Sequence, residues 1–292
     1  MNTLRVLKMK IVAPSAQFRV IHSNNPRKTY PLPPYSTVIG ILANILGEQD
    51  KINHMLDSKF ALGIVSQYQY RSREYTWMRN MSRNAHLGRF HSIENRKWQE
   101  IPEHPGGQSP ITVEVLNEVE LYIYLYHSDP EVLNHLQANM CAPEKWLSHI
   151  HLGRAEDWGG IENYKIIDLT TSNTGSSFKD ATSYFQWMPE PDFAFGLDDH
   201  INEAEYLELY NKMQGNVVLV TSLYKLIEVT HKDSASWQIR NFQHVPARIC
   251  SSQIPFLNNF TLPNLFTDGE LNTPIYMALI NFTNGEGGAL TW

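Results

Sequence analysis

Apolar and basic residues alternate from Leu4 to Val12, with Leu4 and Val6 set against Arg5, Lys8 and Lys10. A period of two marks a strand with one face on a core and one in water, so the chain is expected to open with a half-buried strand. After a polar loop, Pro33-Pro34-Tyr35-Ser36 introduces a helix. Its Val38, Ile41, Leu42, Ile45 and Leu46 repeat at helical spacing, and Gly47 suits the C-terminal cap. A second short helix or turn is expected from Lys51 to Asp57. Residues 61–80 read as a strand, through Ile64, Tyr68, Tyr70, Tyr75 and Trp77. Residues 81–110 lack periodicity and end in Pro105-Gly106-Gly107, the composition of an inserted loop or hairpin. The clearest strand follows over 111–126. Asp129-Pro130 then supplies an N-cap and a first-turn proline for a helix bearing Val132, Leu133 and Leu136, and residues 161–169 form another strand.

The order strand, helix, strand, insertion, strand, helix, strand predicts an α+β fold, the β-α-β-β-α-β unit of ferredoxin-like and RNA-recognition folds. Residues 1–170 read as this ferredoxin-like N-terminal domain, with the insertion at about 79–110. Beyond it, a Ser/Thr/Gly stretch over 170–177 and a Pro/Phe loop over 189–195 lead to strands expected at 216–230, 236–249 and 274–282. Residues 171–292 therefore read as a second, β-rich C-terminal domain.

With 292 residues, 42% of them hydrophobic, the chain can bury a substantial core. Apolar runs such as Val38 to Leu46 reach less than half of the roughly 20 residues that a bilayer span needs. The first residues lack the unbroken apolar stretch of a secretory signal, so a cytoplasmic location is expected and the sequons at Asn80, Asn259 and Asn281 read as chance matches. Cys141 and Cys250 are expected to be buried thiols, and two isolated cysteines cannot build a zinc knuckle.

Charge changes the picture. The net charge is −6, yet residues 1–110 hold 15 Lys+Arg against 7 Asp+Glu, a balance of +8, leaving −14 for residues 111–292. A molecule polarised in this way offers a basic face to polyanions and an acidic one to protein partners. Two clusters make up the basic part. Arg19, His22, Arg27 and Lys28 precede the first helix, whose N-terminus adds backbone N–H groups for a phosphate. Tyr30, beside them, is suited either to stacking a base or to packing on Pro33. Farther on, Arg71, Arg73, Arg79, Arg83, Arg89, Arg96 and Lys97 are interleaved with Tyr70, Tyr75, Trp77, Phe90 and Trp98. Arginines pair with phosphates while aromatic faces stack exposed bases, and strand alternation puts Arg71, Arg73 and Tyr75 on one face.

Catalytic signals are sparse. The sequence has no nucleophile elbow, no phosphate-cradling glycine loop ending in Lys-Ser/Thr and no His-Glu-x-x-His. His149 and His151 share a strand face and could ligate a metal with Glu156, but a pair of surface histidines is the commoner meaning, and no metal or cofactor is expected. The one catalytic option is His22 with Lys28 and Tyr30, the base, acid and cation types that a metal-independent ribonuclease needs.

The segment Phe18-Arg19-Val20-Ile21-His22 through Thr29-Tyr30-Pro31-Leu32-Pro33-Pro34-Tyr35-Ser36-Thr37-Val38-Ile39-Gly40 resembles the N-terminal signature of the CRISPR-associated Cas-five family. Leu152-Gly153-Arg154-Ala155-Glu156-Asp157 resembles that family's second landmark, and the basic insertion falls where the family carries a thumb. The resemblance spans residues 1–170 and is nearest to the type I-B branch. It implies a non-catalytic subunit of the Cascade surveillance complex that holds the 5′ handle of the guide crRNA and caps one end. The implied partners are the large subunit, the repeated backbone subunits and, through the assembled complex, target DNA. One branch of the family cuts precursor crRNA itself, which would give His22, Lys28 and Tyr30 their role as an endoribonuclease. Arg154, in the second landmark, could contact RNA or pair with Glu156 or Asp157.

Overall fold

The computed structural model describes residues 3–79, 97–98, 101–102, 108–172, 184–197, 201–230, 236–251 and 263–281. Its organising element is one antiparallel sheet. Strands β1 (Leu4–Ala16), β4 (Phe60–Arg79), β7 (Gln108–His127) and β8 (Gly160–Ser172) lie in the order β4-β7-β1-β8. Each is antiparallel to its neighbour. Helices α1 (Tyr35–Leu46) and α2 (Gln49–Asp57) connect β1 to β4, and α3 (Pro130–Met140) connects β7 to β8. The expected succession of strands and helices over residues 1–170 is thus present, in an α+β fold.

The two connecting segments end as their sequences dictate. Asp129 accepts a hydrogen bond from the Glu131 N–H at the start of α3, with Pro130 in the first turn. Gly47, at φ 72°, closes α1 in the left-handed conformation and donates to the Ala43 carbonyl.

The later part of the chain extends the same sheet past both edges. Strands β9 (Phe185–Pro189), β11 (Ser236–Ser251) and β10 (Val217–Thr230) continue outward from β4. Strands β12 (Leu265–Asp268) and β13 (Thr273–Ile275) continue from β8, and β14 (Met277–Ile280) pairs with the start of β4. Short strands β2 (Phe18–Arg19) with β3 (Thr29–Tyr30), and β5 (Lys97–Trp98) with β6 (Ile101–Pro102), form two small hairpins. Helix α4 (Glu203–Lys212), capped by Asn202, is the fourth helix among the described residues.

The central strands are buried on both faces. Leu7, Met9 and Ile11 of β1 and Leu121, Ile123 and Leu125 of β7 pack with α1, α2 and α3. Val6 of β1 and Tyr122 and Tyr124 of β7, on the opposite face, pack with α4, Phe266 and Tyr276. The alternation in β1 therefore has a different meaning from the half-buried strand it suggests. Lys8 is 5% exposed, and its ammonium pairs with the buried carboxylate of Asp268, which also accepts the Tyr124 hydroxyl at 2.7 Å. Glu270 joins from the surface, its pKa lowered to about 2 by hydrogen bonds from Lys165 and then Lys8. A buried cation is tolerated only when it is paired and hydrogen-bonded, so Lys8 needs this partner from the far end of the chain.

Replacing Lys8 by Met should leave Asp268 as an unpaired buried charge and lower unfolding stability by about 3–5 kcal/mol. Lys8→Met with Asp268→Asn should recover at least half of that loss, because the amide oxygen still accepts from Tyr124. Urea unfolding of both variants measures the effect. Glu270 contributes in full above its ordinary value near 4.5, and its share should be lost progressively as the pH falls through about 2.

Candidate nucleic-acid interface

Strands β4 and β7 stay paired along their whole length, from Phe60 opposite His127 to Arg79 opposite Gln108. Their outer halves form a ribbon. Along it Arg71, Arg73, Tyr75 and Trp77 alternate onto one face, as the period of two predicts, and all four are exposed. The aromatic pair meets edge to face, with centroids 6.2 Å apart. Glu114, directly across from Arg73, is buried beneath the two arginines, whose nitrogens lie 3.5 and 3.6 Å from its carboxylate oxygens. Two guanidinium groups share one carboxylate at distances too long for good hydrogen bonds, so net positive charge and free donors remain.

The basic loop before α1 is clipped to the other edge of the same ribbon. The Arg27 N–H donates to the Thr112 carbonyl at 2.7 Å, Glu114 N–H donates to the Arg27 carbonyl at 2.8 Å, and Thr112 N–H donates to Asn25 Oδ1 at 3.0 Å. Within the loop, Ser23 donates to the Val20 carbonyl and accepts from the Lys28 N–H. These bonds keep Arg19, His22 and Lys28 exposed beside the ribbon, with Arg27 half-buried at the junction. The structure thus brings Arg19, His22, Arg27, Lys28, Arg71, Arg73 and Trp77 to one region. The ring of Tyr30 instead lies edge-on to Trp187, with centroids 5.5 Å apart, and burial raises its pKa. Trp187 in turn donates to the Pro33 carbonyl at 2.7 Å, which ties β9 to the segment leading into α1.

Arg154 shows the carboxylate pairing that its sequence neighbours offered. Its Nε and Nη2 bond the two oxygens of Asp157 at 2.8 and 2.7 Å, and its Nη1 reaches Glu74 of β4 at 2.6 Å. Glu156 stands farther off at 3.6 Å. Asp157 is fully buried and also accepts from the Ser15 hydroxyl of β1 at 2.6 Å. These hydrogen bonds raise the pKa of Arg154, that from Asp157 most. Gly153 is required here, because at φ +105° a Cβ would stand 1.9 Å from the Gln17 carbonyl oxygen.

Arg83 and Arg89 lie outside the described residues, and for Arg79 only the backbone pairing with Gln108 is described. His149 and His151 have ring centroids 5.8 Å apart, but no group of three or more His, Cys, Asp or Glu suited to a metal occurs among the described residues. No helix among the described residues is long and apolar enough to cross a membrane. The contributions that sequence reasoning missed are Glu114 and Asn25. Alternation did not announce Glu114, which shares the polar side of the strand with Thr112 and is buried only because Arg71 and Arg73 of the neighbouring strand lie over it.

A family model described as "CRISPR-associated protein (Cas_Cas5)" matches residues 6–157, just over half of the 292. No match is found among curated proteins. Solved structures with a loose likeness include a chain of a "CRISPR RNA-guided surveillance complex", at 11% identity and TM-score 0.46, covering 91% of this chain and 92% of that one. A CRISPR protein from Archaeoglobus fulgidus matches at 12% identity and TM-score 0.38, covering 95% of this chain and 100% of that one. A chain of a Type III-B Cmr-beta complex bound to cognate target RNA and AMPPnP matches at 12% identity and TM-score 0.32, covering 84% and 86%.

Arg154→Ala should strand the buried Asp157 carboxylate and cost about 3–5 kcal/mol of stability. Arg154→Lys should recover part of it, since a single ammonium cannot bond both Asp157 oxygens and Glu74 in the same geometry. A loss below about 1 kcal/mol in chemical denaturation, the range of a surface ion pair, would show that this anchor contributes little.

Proposed function

The chain belongs to the CRISPR-associated Cas5 family, and from that premise we propose that it is a non-catalytic RNA-holding subunit of a type I Cascade complex. In this reading its ferredoxin-like residues 1–170 hold the 5′ handle of the guide crRNA and cap one end of an assembly of the I-B branch. The large subunit and the repeated backbone subunits are its protein partners, and target DNA is met through the assembled complex. The observation that carries the reading is the convergence of two basic segments, far apart in sequence, on one ribbon. Arg71, Arg73, Tyr75 and Trp77 present cations and stacking faces along it, and Arg19, His22 and Lys28 stand at its edge. Alternating guanidinium groups and exposed aromatic rings suit the phosphates and splayed bases of a single strand. Arg79, Arg83 and Arg89 would carry the same chemistry into the insertion, and Arg154 would act from behind by fixing β4.

Binding rather than cutting is supported by the fate of Tyr30. Of the three groups that a ribonuclease centre would use, Tyr30 is packed on Trp187 with its hydroxyl pKa raised by burial, while His22 and Lys28 are exposed on the loop. Phosphate binding asks for no closer geometry than this, whereas general acid–base catalysis does.

Incubation of the purified chain with repeat RNA in chelator should give binding without cleavage. Reproducible cutting that disappears in His22→Ala would replace this reading with the endoribonuclease one. In salt titrations, Arg71→Gln with Arg73→Gln should weaken single-stranded RNA binding and flatten the log K against log salt slope by about 1.4, at about 0.7 per phosphate contact. An unchanged slope would remove these arginines from the interface. Replacing residues 82–107 by a short Gly-Ser turn should leave a folded chain that no longer retains guide RNA in the complex, and normal assembly by that variant would refute a role for the insertion.

A further inference from the structure

Away from the ribbon, a cleft of about 460 Å³ opens between α1, the loop over residues 148–153 and the β10–β11 ribbon. Its size falls in the range of sites for small ligands, about 300–1,000 Å³. Part of its floor is Gly40 on the exposed side of α1, where an added Cβ would meet nothing within 4 Å. A glycine in mid-helix lowers helix stability, and no close packing against Gly40 compensates for it. The bare helix surface widens the cleft.

The walls are aromatic. Tyr224 and Phe242 are cross-strand partners with ring centroids 5.3 Å apart. On the loop side, the imidazole-bearing His149 lines the cleft. The guanidinium of Arg240 sits over Tyr224 at 4.9 Å and has no carboxylate partner among the described residues. Ser36 and Thr37, in the first turn of α1, also line the cleft. That helix begins at Pro34 with no side-chain cap and no acidic residue in its first turn, so its positive end is left uncompensated. Finally, His151 Nδ1 is buried at the cleft with no hydrogen-bond partner among the described residues.

We infer that this cleft receives one unstacked nucleotide of a single-stranded RNA, the base against the aromatic walls and the phosphate at Arg240 and the amino end of α1. Stacking surfaces, a guanidinium with no carboxylate partner among the described residues and a helix N-terminus without an acidic first turn together match a base joined to a phosphate. A neutral peptide would use the aromatic walls but gives no reason for both cationic features. The inference rests on the reading of the chain as an RNA-holding subunit and adds a second RNA contact, distinct from the β4–β7 ribbon. The two are mechanically linked, since Gly153 lines the cleft and the next residue, Arg154, bonds Glu74 of that ribbon.

The test is photocrosslinking of the full chain to a 4-thiouridine-substituted oligouridylate, with the linked residues mapped by mass spectrometry. Links are expected both at Tyr75 or Trp77 on the ribbon and at Tyr224, Phe242 or His149 in the cleft. Gly40→Leu plugs the cleft with a side chain that has open space, so its thermal midpoint should not fall. Its cleft links should drop about tenfold, the loss of one stacked base, while ribbon links persist. Arg240→Gln should likewise weaken the cleft links. Ribbon links without cleft links in the wild-type chain would overturn this inference and leave the RNA-holding reading standing. Links at neither place would overturn both. Cleft links undiminished in Gly40→Leu would also refute the assignment.

Discussion

A single carboxylate without access to solvent, that of Asp157, fixes the frame on which the candidate interface is built. It accepts from Ser15 at the end of β1 and from Nε and Nη2 of Arg154, whose Nη1 reaches Glu74 on β4. The same turn presses Gly153 onto the Gln17 backbone, where the basic loop departs. Burying charge contributes little net stability, because desolvation offsets most of the attraction. What the cluster supplies is position. It sets where the β4–β7 ribbon leaves the sheet relative to β1 and the loop, and so where the arginines of both face.

The ribbon then carries an unbalanced charge by construction. Glu114 draws Arg71 and Arg73 into parallel but can neutralise only one of them, and neither sits close enough to it to use up its donors. A phosphate arriving at this face meets donors already held in place, which lowers the ordering cost of binding. The remaining chain has the opposite polarity, with −14 over residues 111–292.

Much of this was legible in the sequence because the informative signals are local. The period of two from Arg71 to Tyr75 placed two arginines and an aromatic ring on one face, and the cap residues of α1 and α3 marked their ends. What escaped depends on partners distant in sequence. Lys8 reads as a solvent-facing position until Asp268 is brought over it by β12. Tyr30 was open between a base and Pro33, and the packing partner is Trp187 of a strand that the sequence did not announce. Helix α4 was missed although Tyr206, Leu209, Tyr210 and Met213 keep helical spacing behind the Asn202 cap. The chain also gave no sign that strands after residue 170 would extend the first sheet at both edges, since edge pairing is decided by tertiary register.

The central claim is that guide RNA is held where the basic loop meets the outer half of the β4–β7 ribbon. Hydrogen–deuterium exchange of the full chain, with and without repeat-derived RNA, tests it most directly. RNA should slow exchange in residues 19–28, 70–77 and 110–116 and leave β12 to β14 unchanged. Protection confined to β12–β14 or to α4, with none along the ribbon, would contradict the account.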